Sequence, residues 1–111
     1  MKKVDIEIIR KKVILDEYSI TTHALTEARK DGIAPEDVES AILNGKIIED
    51  YPHRYRCLIY GVSSNATPIH VVCEYYDYFQ DEKDDIVVIT TYFPDDRDWI
   101  KGQIRKKKKV I

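Results

Sequence analysis

No stretch of this chain approaches the ~18 consecutive apolar residues that a membrane helix needs. The N-terminus, MKKVDIEIIRKK, has no uninterrupted apolar segment and no small-residue cleavage site, so it does not read as a secretory signal. A cytoplasmic protein with no membrane partner is the expectation. Cysteine is scarce: Cys57 and Cys73 are the only two. Neither belongs to a Cys-x-x-Cys pair, which excludes a zinc ribbon. Both fall among apolar neighbours in predicted strands, either as reduced thiols acting as small hydrophobes or as a cross-strand disulfide. Internal repeats and long linkers are lacking too, and 111 residues suffice for one domain with one core.

Net charge is small, at −2, but it is unevenly spread. Residues 101–111 hold Lys101, Arg105, Lys106, Lys107, Lys108 and Lys109 and no acid, so the remaining 100 residues carry 12 bases against 20 acids. This predicts an acidic domain over 1–100 and a basic C-terminal tail over 101–111. Lys106, Lys107, Lys108 and Lys109 are the residues such a tail would offer to RNA phosphates. A merely solubilising, frayed terminus is the plainer alternative.

The apolar spacing predicts helices first and strands after. Ile6, Ile9, Val13 and Ile14 lie at helical spacing and predict a helix over 3–17. Thr21 or Thr22 can cap a second helix over His23–Asp31, which stops at Gly32. Pro35-Glu36-Asp37 opens a third, with Val38, Ala41 and Ile42 as its stripe and Asn44-Gly45 as its end. After Gly45 the period becomes two, predicting strands over 46–51, 55–62, 69–76 and 86–93. An acidic loop at 80–85 precedes the last strand, Pro94 ends it, and Trp99-Ile100 tucks back onto the core. The fold class is α+β, with about three N-terminal helices packed on one face of a four-stranded antiparallel sheet.

Side-chain alternation gathers Arg54, Arg56, His70, Glu74, Thr90 and Tyr92 on the face that the helices leave bare. These groups suit phosphate chemistry. RNA is cut when its 2′-hydroxyl attacks the adjacent phosphate, which needs a base, an acid and cations. His70 titrates in the right range, Tyr92 can donate a proton or stack on a base, and Arg54 and Arg56 can clamp the phosphate. No metal and no other cofactor is required. His23 is a further candidate: at a helix start its neutral form is favoured, and Glu27 stands four residues on. That pair permits a metal-dependent reading but supplies only two ligands, and a histidine that fixes the helix start is the simpler role. His53 follows Pro52 in a turn and should be solvated. Tyr75, Tyr76, Tyr78 and Phe79 form an aromatic run that either makes an interface or packs a sheet edge.

The segments YSITTHALTEA, GIAPEDVESAILNGKIIEDYP, PIHVVC and IVVITTYFPDDRDW closely resemble the bacterial and archaeal domain of unknown function 4258, over about Ile6 to Trp99. The family pattern falls here on His23, Glu49, Tyr51, His70, Thr90, Tyr92, Pro94 and Trp99. In layout it resembles RelE-like and MqsR-like toxins, small proteins that cut messenger RNA. The resemblance implies a RelE/barnase-like toxin layout, with His70, Tyr92 and His23 as catalytic residues and a cognate antitoxin as partner. Against it stands the acidic body, since phosphate contacts dominate RNA affinity. The alternative is a non-catalytic protein-interaction module, forming a homodimer through its aromatic or sheet edge.

Overall fold

The change of period at Gly45 is where helices give way to strands in the computed structural model, which describes residues 4–75 and 85–107. Helix α1 (Ile6–Ile14) starts at Asp5, whose carboxylate accepts the Glu7 amide at 2.9 Å. Helix α2 (Thr22–Lys30) is capped by the Thr21 hydroxyl, which accepts the Ala24 amide at 3.1 Å. This satisfies one of the amides that a helix start leaves open. Helix α3 (Pro35–Asn44) opens on its proline, and Asp37 reaches back to accept the Ala34 amide at 2.9 Å. Arg10 of α1 donates to the carbonyls of Ile42 and Gly45, so one helix closes the open end of another. No helix among the described residues is long and apolar enough to cross a membrane.

Four strands follow: β2 (Lys46–Tyr51), β3 (Arg56–Val62), β4 (Pro68–Glu74) and β5 (Ile86–Tyr92), each antiparallel to the next. The sheet has a fifth member. Asp16 turns the chain with φ of +59°, and β1 (Tyr18–Ile20) runs parallel to β5 at the sheet edge. The order is β1-β5-β4-β3-β2. The protein is therefore α+β as expected, but its sheet is five-stranded and mixed, not four-stranded and antiparallel. The expected first helix is shorter for the same reason, because its last residues bend into β1. A three-residue strand has no period to detect, and its hydroxyls read equally well as caps.

The core lies between the helices and one face of the sheet. Cys57, Ile59, Ile69, Val71, Cys73, Tyr75, Ile86 and Val88 pack there against Ile9, Val13, Ala24, Ala28, Val38, Ala41 and Ile42. Cys57 and Cys73 are cross-strand neighbours, buried and free. Burial pushes both thiols up, Cys73 to about 12, so they stay protonated and inert. Beyond β5, strands β6 (Trp99–Ile100) and β7 (Ile104–Arg105) form a hairpin. Residues 101–105 are thus part of the folded body and not of a tail, because β7 pairs back onto β6. Lys108, Lys109, Tyr76, Tyr78, Phe79 and the acidic loop up to Asp84 lie outside the described residues.

Helix α3 rests directly on β3. A Cβ at Gly61 would stand 2.7 Å from Ala41 Cα and closer still to its carbonyl oxygen. Gly61→Ala should cost about 3 kcal/mol of stability, the upper range for overpacking. Gly32→Ala, at φ +75° with nothing within 4 Å, should cost only about 1–2 kcal/mol. Denaturant midpoints of the two variants check this contrast.

Candidate functional site

The sheet face away from the helices carries Arg56, Leu58 and Tyr60 from β3, His70, Val72 and Glu74 from β4, and Thr90 and Tyr92 from β5. The parity is as the sequence predicts. The face is not bare, however. The β6–β7 hairpin lies over the His70 end of it. Its turn has the form of type I′: Lys101 and Gly102 have φ of +53° and +71°, and the Gln103 amide donates to Ile100 O at 3.0 Å. That turn aims the Gly102 carbonyl at His70.

His70 is 0% exposed. Its Nε2 lies 2.6 Å from Gly102 O, and its Nδ1 lies 3.3 Å from the Tyr92 hydroxyl. A carbonyl can only accept, so Nε2 carries the proton and Nδ1 accepts from the phenol. Trp99 covers the imidazole edge-to-face with centroids 4.4 Å apart, and Tyr92 and Tyr60 flank it at 5.3 and 6.2 Å. Burial holds the His70 pKa below its ordinary value, against the opposing pulls of Gly102 and the Glu49 carboxylate. Burial likewise pushes the Tyr92 phenol up. His70 is thus a neutral, fully bonded pin beneath the hairpin, sealed from any phosphate.

The other predicted site residues do not converge on it. Tyr60 is the β3 partner of His70, whereas Arg56 pairs with Glu74 four rows away, about 13 Å at ~3.3 Å per residue. Arg56 is bound to Glu74, Nε to Oε2 at 2.9 Å. Arg54 stands in a 3₁₀ turn, Pro52–Arg54, off the sheet. His23 is exposed on α2, in the layer across the sheet from His70. Its neighbour Glu27 is paired with Lys30 at 3.3 Å, and no group of three or more His, Cys, Asp or Glu side chains assembles among the described residues.

Two features were missed by alternation. The first is a triad on the hairpin side. The register of β2 slips between Ile47 and Glu49, leaving Ile48 as the extra residue. Ile47 faces the core, and the bulge turns Glu49 to the opposite face. There Glu49 accepts from Nη2 and Nε of Arg105, at 2.9 and 3.2 Å, together with the Tyr51 hydroxyl. Arg105 also lies 4.5 Å above the Trp99 ring. The Arg105 and Tyr51 hydrogen bonds hold the Glu49 carboxyl below its usual range, while partial burial and Glu49 push the Tyr51 phenol up. The second is a hollow of about 570 Å³ lined by Asp50, Tyr51, Pro52, His53, Arg54, Arg56 and Val72. Its acids are engaged: Asp50 accepts the Tyr75 hydroxyl at 2.9 Å, and nearby Glu74 holds only the Nε of Arg56. Arg54 and His53 make no ion pair or hydrogen bond among the described residues and are exposed.

Residues 20–93 match the model of a family described as a domain of unknown function (DUF4258). The match spans well over half of the chain. The protein belongs to this family. The DUF4258 segment runs from β1 to just past β5 and so includes the 570 Å³ hollow and His70, while the hairpin that covers His70 lies outside it. Comparison with curated proteins and with solved structures finds no match.

Because the folded His70 binds a proton less readily than the unfolded one, the unfolded chain takes up the proton first on acidification. Stability should be full above the ordinary histidine pKa of ~6.5 and fall below it, by up to about 1.4 kcal/mol per pH unit. His70→Gln should flatten that slope in urea titrations between pH 7 and 5. Trp99 is the only tryptophan and reports the hairpin alone. Gly102→Ala places a Cβ at positive φ, 3.0 Å from the Tyr60 ring. It should red-shift Trp99 emission while far-ultraviolet circular dichroism stays near wild type.

Proposed function

We propose that this protein is a small RNA-cleaving domain of toxin type, working without a metal, with its reactive groups in the Tyr51–Arg56 hollow and not at His70. The observation that carries this reading is the gathering of His53, Arg54, Arg56 and Tyr51 around one open space. Arg54 and the free terminal nitrogens of Arg56 bind a phosphate and balance the charge of the pentacoordinate transition state. His53, exposed to solvent, takes the proton of the 2′-hydroxyl or returns one to the leaving oxygen. The Tyr51 ring, whose hydroxyl is given to Glu49, stacks on a base. Such an activity implies an antitoxin that covers the hollow. The layout kinship with RelE-like toxins belongs to this proposal.

A non-catalytic interaction module is the second reading. It is favoured by Ile14 and Leu15, 70% and 55% exposed at the end of α1. It requires a concentration-dependent mass in light scattering, with no cleavage.

Single-turnover cleavage of a labelled RNA in the presence of a chelator separates the two. His53→Ala should slow cleavage by about 10²–10⁴, and Arg54→Ala by about 10² or more. Growth arrest on expression should vanish in the same variants. An absence of any cleavage by folded protein would overturn the proposal. Retention of full rate in His53→Ala would remove the imidazole from its assigned role.

A further inference from the structure

We infer that the C-terminal hairpin carries a second phosphate subsite, so that the substrate is a single RNA strand several nucleotides long, held at both hollows. This rests on the RNA reading of the first hollow. A separate hollow of about 400 Å³ is lined by Arg97, Asp98, Arg105, Lys106 and Lys107, four cations to one acid. Its backbone is held in place. The Lys106 amide donates to Asp98 O at 2.8 Å, extending the hairpin past β7. Asp95 accepts the Arg97 amide at 2.8 Å and its guanidinium at 2.7 and 3.0 Å, which fixes that side chain.

The two hollows are neighbours. Arg105 lines the second, and its Nη2 lies 3.5 Å from the hydroxyl of Tyr51, which lines the first. A strand clamped by Arg54 and Arg56 can therefore run past the half-exposed Tyr51 ring, which offers a stacking face, to Lys106 and Lys107. Glu49 and Asp95 largely offset Arg105 and Arg97. With Asp98 also in the lining, one net positive charge is left, carried by Lys106 and Lys107, which form no ion pair among the described residues. On a chain whose first 100 residues hold 20 acids and 12 bases, such a localised cationic stretch sets where a polyanion can lie.

The test uses the full chain and a 2′-O-methyl RNA of roughly 12 nucleotides, which binds but cannot be cut. Fluorescence anisotropy is read over a range of salt concentrations. Removing two phosphate contacts with Lys106→Ala/Lys107→Ala should lower the salt slope by about 1.4 and weaken binding on the order of tenfold at ~0.1 M salt. Binding of a dinucleotide, too short to reach the hairpin, should be unchanged in that variant and lost in Arg54→Ala. Unaltered Trp99 emission verifies that the hairpin is intact. If the double variant binds the long RNA with wild-type affinity and slope while Arg54→Ala fails, the second subsite is refuted and the first hollow stands. If the wild-type chain binds neither RNA, both readings fall together.

Discussion

A histidine enclosed by protein must find a partner for each ring nitrogen or impose a large penalty on the fold. His70 meets that demand with the Gly102 carbonyl and the Tyr92 hydroxyl, and much of this face of the molecule is arranged around the solution. The carbonyl is presented by a tight turn with two positive φ angles, which glycine at 102 permits. Trp99 roofs the ring, Arg105 lies over Trp99, and Glu49 holds Arg105. Each of these contacts orders the next, so a local requirement at one imidazole fixes the position of a hairpin 30 residues further along.

The same arrangement divides the sheet face in two. The half beside His70 is roofed, dry and aromatic. Among the described residues, the half beside Arg56 is open to solvent, with the Arg105 guanidinium at its border beside Tyr51. Under the proposed RNA reading, the substrate lies on the open half. There the acids are committed to internal partners, and the guanidinium and imidazole groups of the Pro52–Arg56 segment are left facing outward. Tyr51 stands at the boundary, with its hydroxyl tied to the roof and its ring lining the opening.

Much of the architecture was legible in the amino-acid order. Thr21 as a cap, Pro35 as a helix start, the switch of period at Gly45 and the shared face of Tyr60, His70 and Tyr92 all follow from local rules. What was not legible came from long-range or backbone effects. The parallel strand at Tyr18–Ile20 is defined only by its distant partner. The bulge at Ile48 reverses the face of Glu49 without any sign in residue type. The enclosure of His70 was not legible because alternation assigns a side chain to a face but not what covers that face. The cover came from a segment whose lysines read as a solvated tail. Arg54 and Arg56 were expected on the sheet face of His70, whereas Arg54 stands in the Pro52–Arg54 turn and both line a hollow away from that histidine. His53, in a turn and therefore outside any periodicity, stands beside them.

Strand β2 closes the sheet on its outer side, with no further strand beside its rim among the described residues. A flat rim of that kind is a template on which further chains can stack into fibrils. The extra residue at Ile48 spoils the template by breaking the even spacing of donors and acceptors, and Lys46 sets a charge at its entrance. The irregularity that swings Glu49 toward the guanidinium of Arg105 thus also makes the β2 rim a less regular template for stacking.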